Sequence, residues 1–552
     1  MIPTRLLSFL LFFLIMVCLL VTGACNKTEE NNSEEKSPKA AVKIEPTVKK
    51  TGGIYRIPLR SNPATLDPAK VRDLYGGSLV YQLYDGLVRF DRYLSVMPAL
   101  AKTWRVEDNG KVYRFFLQPH AIFHDGTPIR VDDVIFSLSR LLRVENAQAI
   151  LPHLLKIEGA QAYKAHTAET VTGLEAVDDH TLVVRLTAPH IPFLTALGIC
   201  YAKIIPRGAA TRLGQDFGKT PVGSGPFRFV SWNADAMIQL ERFPDYYGDT
   251  ALVDEIQYKI YPGGKDEEIL TDFQSNDLDE MPVFGNVRQS LPPAENLQWV
   301  HRSSLSLFFY GMNTNHPHLK NKKLRKALAL AIDRQAIVKE IYNGQYDMAT
   351  TILPPGMPGY TPDNQMKANN MAMAQTLVKQ IRKALPHPLP ALEIVSATQS
   401  PSSMAELALV QKTWGKLGIH LNIKYITDWT EFENYLNSDA VQIYRYAWFA
   451  DMPEPDNFLY ALFGSDSPVN FMRYNCARVD EMFTTARQTV GAVERSTIYR
   501  GIESILLESF PLIPLFYMSV DRVYQPQVKG ITVSALGAHT MTLNNIWLNP
   551  PN

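Results

Sequence analysis

Cysteine is nearly absent: four in 552 residues, and two of these, Cys18 and Cys25, fall in the first twenty-five. The other two, Cys200 and Cys476, are far apart, so neither a disulfide framework nor a C-x-x-C zinc or redox pair is available. They form either one disulfide in an oxidising compartment or, the simpler expectation, two separately buried thiols. Histidine is also sparse, twelve in all, with no H-E-x-x-H. The nearest clusters, His316-Pro317-His318 and Pro386-His387-Pro388, carry prolines that forbid helical i, i+4 ligation. No metal and no cofactor are expected. Net charge is missing as well: 55 Lys and Arg balance 55 Asp and Glu, leaving no field to attract nucleic acid.

What is present is an ordinary globular composition, 46% apolar and 20% charged, in a chain too long for one hydrophobic core. Two or three domains are expected. The 25 Phe, 25 Tyr and 7 Trp are generous and suit a large site lined by rings, although most rings serve the core. The N-terminus is a separate matter. Arg5 precedes an apolar run, Leu6 to Val21, which is short for a membrane span and right for a secretory signal. The run ends in Thr22-Gly23-Ala24-Cys25. Asn26 to about Lys50 is polar and charged, cannot bury enough surface to fold, and reads as a tether.

Alternating and turn-rich segments begin at Gly52-Gly53-Ile54-Tyr55-Arg56-Ile57-Pro58-Leu59, a strand that Pro58 places near a sheet edge. Leu79 to Val88 reads as a helix closed by Gly86 and then a strand, and Val131 to Leu138 as a helix with an acidic first turn. Leu324, Ala327, Leu328, Ala331 and Ile332 mark one face of a helix, read as scaffold. Gly223-Ser224-Gly225-Pro226-Phe227 lacks the lysine of a phosphate loop. It also lacks the helix start that a nucleophile elbow needs, so its glycines are read as a tight turn between strands.

The stretch Arg445-Tyr446-Ala447-Trp448-Phe449-Ala450-Asp451-Met452-Pro453-Glu454-Pro455-Asp456-Asn457 concentrates a cation, rings and acids. Two prolines forbid a single regular element there. Val441 to Tyr444 reads as the strand leading in, and Asp456 or Asn457 as the N-cap of a helix starting at Phe458. Strand ends that lead into helices are where α/β proteins place ligands. The plainer alternative is a proline-rich surface loop.

Several motifs in register resemble the family 5 extracellular solute-binding proteins, the oligopeptide and dipeptide receptors of bacterial ABC importers. They are Leu66-Asp67-Pro68, Tyr84-Asp85-Gly86-Leu87, Pro98-Ala99-Leu100-Ala101, Phe123-His124-Asp125-Gly126-Thr127-Pro128, Asp132-Asp133-Val134, Pro221 to Phe227, Leu324 to Arg334, Trp448 to Leu459 and Pro511 to Leu515. The resemblance spans nearly the whole body. It implies an α/β, two-lobed periplasmic-binding-protein fold (type II, large cluster) with a hinge of two crossover strands. The implied domains are a signal peptide (1–24), a lipidated cysteine and tether (25–50), lobe one (51–303 and 508–552) with an extra subdomain at about 93–204, and lobe two (304–507). Thr22-Gly23-Ala24-Cys25 resembles a lipobox, with Thr22 where an aliphatic residue is usual, and implies lipidation at Cys25.

In the peptide-binding relatives an aspartate three residues after a tryptophan holds the ligand amine, which here implies Asp451 after Trp448, with Trp448 as a pocket wall. An arginine six residues earlier meets the ligand carboxylate in the oligopeptide receptors, which implies Arg445. Each has a structural alternative: Asp451 could cap a turn, and Arg445 could pair with a scaffold acid such as Asp456. The implied partners are a peptide ligand, ABC permease subunits and a membrane reached through the lipid, for an extracytoplasmic monomer without enzymatic activity. Within the class a nickel chelate, haem or an oligosaccharide is the alternative solute. Outside it stand a peptide sensor or chaperone without transport, and an envelope hydrolase with residues assembled in space.

Overall fold

The computed structural model describes residues 49–144, 150–283, 287–291, 297–384, 389, 391–537 and 540–549. Cys25, the apolar run and the tether lie outside them. Among the described residues no helix is long and apolar enough to cross a membrane.

The first sheet has four strands in the order Ile54–Leu59, Glu255–Ile260, Met237–Arg242, Phe227–Asn233. Ile54–Leu59 occupies its edge, parallel to its neighbour, which suits Pro58 because proline has no N–H for a second partner. Tyr55, Ile57 and Leu59 turn inward and pack with Leu79, Leu83 and Tyr84 around helix Leu74–Leu83. Asp73 caps that helix by accepting from Gly76 N at 2.7 Å.

The Gly223-Ser224-Gly225 segment differs from the expected tight turn. Neither glycine has a left-handed φ. Instead Ser224 N and Gly225 N donate to Leu83 O, at 3.0 and 2.9 Å, satisfying a carbonyl at the end of the helix. A Cβ at Gly223 would lie 1.9 Å from Leu83 O, and one at Gly225 2.3 Å from Gln82 O. Close approach of backbone, not turn geometry, requires glycine here.

Between these strands in sequence lies an inserted sheet of Ala101–Glu107, Val112–Leu117, Thr181–Arg185 and Leu174–Asp178. Helix Val131–Arg143 accompanies it, with Asp132 and Asp133 in its first turn and Arg140 and Arg143 in its last, as the helix dipole favours. Arg140 ties the insertion to the first lobe through the buried Asp67 carboxylate, Nη1 to Oδ1 at 2.8 Å.

A three-stranded sheet, Glu280–Pro282, Ser519–Tyr524, Gln298–Ser303, leads to a six-stranded one. The larger sheet runs Asp347–Met348, Leu512–Tyr517, Ser306–Met312, Ile443–Phe449, Leu392–Ser396, Leu421–Tyr425. The chain passes from the smaller to the larger at Ser304 and Leu305 and returns at Met518. The two crossings are hydrogen-bonded to each other: Ser304 N donates to Met518 O at 2.7 Å, and Met518 N to Ser306 Oγ at 2.9 Å. The result is two lobes on two adjacent connections.

Helix Lys322–Ala331 buries Leu324, Ala327, Leu328 and Ala331 against the second lobe's core, the scaffold role its spacing predicts. Cys200 and Cys476 are free thiols, each partly rather than fully buried.

Candidate ligand-binding site

Strand Ile443–Phe449 positions the site. It takes in only Ile443 and Tyr444 of the expected lead-in and runs on to Phe449, pairing antiparallel with Ser306–Met312 so that Tyr310 faces Arg445 and Leu307 faces Trp448. Leu392–Ser396 flanks it in parallel on the other side. Side chains alternate along a strand, so Tyr444, Tyr446 and Trp448 share one face while Arg445 and Phe449 share the other. The ring contacts follow this division: Tyr446 lies near Trp429, Phe432 and Phe471, whereas Phe308 meets Phe449 and lies 5.4 Å from the Arg445 guanidinium.

After Phe449 the chain turns through Pro453 and Pro455 into helix Asp456–Phe463. Neither Asp456 nor Asn457 is its N-cap. Pro455 takes that position and makes no side-chain cap. The Asp456 carboxylate goes instead to Arg487, with Nη2 to Oδ2 at 2.8 Å and Nε to Oδ1 at 3.0 Å, and also accepts from Tyr499 Oη at 3.2 Å. Asn457 fastens the turn. Its backbone oxygen accepts from Trp448 Nε1 at 2.7 Å, and its Oδ1 accepts from Asp451 N at 3.1 Å. One residue thereby holds both the expected wall and the expected acid.

Trp448 and Asp451 line a cavity of about 1290 Å³. Its walls come from two parts of the molecule. Trp429, Trp448, Asp451, Asn457, Tyr460 and Arg487 belong to the second lobe, and His153, Lys156 and His190 to the inserted sheet's connections. Arg72 and Tyr201 complete the first lobe's side. The volume exceeds the roughly 300–1,000 Å³ of ordinary small-molecule pockets. Asp451 is exposed on the cavity wall. The loss of hydration raises its pKa, and the hydrogen bond with Asn457 opposes that rise. Among the described residues it forms no ion pair.

Arg445 is not among the cavity's walls. It is 8% exposed, and its Nε and Nη2 meet Glu406 Oε1 and Oε2, at 2.9 and 3.1 Å, in a two-pronged ion pair with a carboxylate of 0% exposure. Tyr310 and Tyr342 donate to the same carboxylate, at 2.6 and 2.5 Å. Burial works against the Arg445 charge, yet Glu406 outweighs it and leaves the pKa above its ordinary value. The scaffold acid is thus Glu406 from helix Pro401–Gly415, not Asp456.

Also on the cavity wall, His153 Nδ1 and His190 Nε2 are 2.9 Å apart. Burial pushes His153 down to about 4 and His190 well below its usual value. Beside them Ile191 N donates to Arg487 O at 2.9 Å, a direct bond between insertion and second lobe. Sequence spacing carries no sign of these cross-lobe partners. Trp429, a large ring 52% exposed beside the cavity, is marked out by that exposure. Among the described residues no three His, Cys, Asp or Glu side chains are grouped to hold a metal ion.

Two α/β lobes on a double crossing, with a large aromatic cavity walled by both, define a two-lobed periplasmic-binding-protein fold. The chain belongs to the bacterial extracellular solute-binding proteins, family 5: the profile of that family (family 5 Middle) matches residues 95–469. It is 25% identical over 479 residues to the dipeptide-binding protein of Escherichia coli (strain K12), covering 83% of this chain and 88% of that one. It is also 25% identical over 540 residues to haem-binding protein A of Haemophilus influenzae, covering 94% and 95%. In three dimensions it resembles the periplasmic murein tripeptide binding protein MppA in its unliganded open form, with a TM-score of 0.79 and 23% identity over 90% of this chain and 97% of the other.

Proposed function

We propose that this protein captures di- and oligopeptides between its lobes and delivers them to the permease of an ABC importer, catalysing no reaction itself. The observation that carries the reading is Asp451. It is an acid on the wall of a large cavity, held beside Trp448 by Asn457 and without an ion-pair partner among the described residues. A peptide's α-ammonium supplies the missing charge, and the indole covers the first residue. A relative named for dipeptide binding supports the same solute class. Arg445, committed to Glu406, serves as scaffold in this reading rather than as the partner of the ligand carboxylate.

Lobe closure about the Ser304–Leu305 and Met518 crossings would bury the ammonium against Asp451 and signal occupancy to the permease. Strand Leu512–Tyr517 pairs within the larger sheet, which supports a second lobe of about 304–518, longer than 304–507. The receptor works outside the cytoplasm as a monomer, tethered by a lipid on Cys25.

Native mass spectrometry of the protein purified from its host is the test. Co-purifying peptides of two to five residues are expected. Asp451→Asn should weaken their binding by about 2–5 kcal/mol, since closure would bury an unpaired ammonium. A haem, a metal chelate or a sugar in the cleft, or peptides held equally by Asp451→Asn, would overturn the reading.

A further inference from the structure

The charges on the cavity wall do not balance locally. Arg487 is neutralised by Asp456 at 2.8 Å. Asp451 and Lys156 are different: both line the cavity, and among the described residues neither makes an ion pair. They also stand on different bodies. Asp451 follows the second lobe's central strand, while Lys156 lies just after the short helix Leu151–Leu154 in the insertion of the first lobe. The Lys156 backbone is held firmly, because Lys156 O accepts from Thr187 N at 2.8 Å and from Thr187 Oγ1 at 3.2 Å. Its side chain is exposed, and the neighbouring His153 and His190 are buried and bonded to each other. A cavity that carries an unpaired anion from one body and an unpaired cation from the other is complementary to a zwitterion.

We propose that Lys156 receives the C-terminal carboxylate of the ligand whose amine Asp451 holds. The natural ligands are then short peptides with both termini free, each bridging the two lobes through its terminal charges. This inference rests on the peptide reading given above. It adds a specificity residue supplied by the inserted subdomain and a reason for closure to favour short ligands, since a longer chain moves its carboxylate away from Lys156.

The test uses a library of di- to pentapeptides with free C termini and the same library amidated, competed against wild type, Lys156→Met and Lys156→Arg. In wild type, amidation should weaken binding about tenfold or more, the scale of a charge-assisted contact formed on closure. Lys156→Met should bind free peptides that much more weakly and no longer distinguish them from amidated ones. Lys156→Arg should restore the distinction. Because Lys156 is exposed and unpaired, the thermal midpoints of both variants should match wild type. An amidation penalty of equal size in wild type and Lys156→Met would overturn the inference alone, placing the carboxylate on another cation such as Arg72. Failure of wild type to bind either library would overturn the peptide reading itself.

Discussion

Arg445 carries its charge on the face of strand Ile443–Phe449 that looks away from the cavity, three positions from Trp448 and so on the opposite side of the sheet. Its guanidinium neutralises Glu406, a carboxylate with no access to water. Removing one partner of such a pair strands the other, which costs about 3–5 kcal/mol, whereas removing both costs far less. Arg445→Met should therefore lower unfolding free energy by that amount in urea titrations, and adding Glu406→Gln should recover most of it. Loss of ligand affinity at unchanged stability would instead return Arg445 to the binding site. The W-x-x-D spacing made Trp448 and Asp451 legible, because both sit where the strand gives out. Glu406 was not legible: thirty-nine residues and a helix separate it from Arg445, and only sheet packing brings them together.

Among the elements, the junction of helix Leu74–Leu83 with the Gly223–Gly225 segment shows how a motif can be noticed and still be misread. Glycines in such a run suggest a turn, but here they let one backbone lie on another, 139 residues apart in sequence where Ser224 Oγ also accepts from Asp85 N at 3.2 Å. A methyl group at Gly225 has to displace the helix end, so Gly225→Ala should destabilise by about 1–3 kcal/mol, as overpacking does. Gly208 is the matched control. It lies in helix Arg207–Leu213 with nothing near its absent Cβ, so Gly208→Ala should be neutral or stabilising by about 0.4–1 kcal/mol. Thermal melts of the two variants check both directions. Equal midpoints for Gly225→Ala and wild type would refute the close-approach account.

At the scale of the whole molecule, the insertion and the second lobe meet where His153 and His190 are buried. Folding lowers the proton affinity of both, His153 to about 4 from an unfolded value of about 6.5. Between those limits the unfolded chain binds protons that the folded chain refuses, so their contribution to stability falls as pH drops from about 6.5 to 4. Glu503, raised by burial to about 7, and the raised Asp451 act in the opposite sense, so the variant must be compared with wild type at each pH. Replacing both histidines by asparagine should remove the imidazoles' share of the acid loss. Denaturation at pH 7, 5.5 and 4.5 measures this as a stability difference that narrows with falling pH. A difference constant across that range would mean that the imidazoles titrate as they do in water.

The sequence by itself determined the family, the two-lobed α/β class and the edge position of the proline-bearing strand, and it singled out Trp448 and Asp451, which both line the cavity. These rest on local periodicity, on backbone rules for proline, and on motifs short enough to be read in a line. Tertiary structure alone decided that Arg445 faces Glu406, that Asn457 fastens the turn after the strand, and that Lys156 and the histidine pair line the same cavity as Asp451. Each of these depends on which side of a sheet a residue takes, or on which distant segment packs against it. Such choices are made by burying charge and apolar surface together, and their energy belongs to pairs of residues that the sequence keeps far apart.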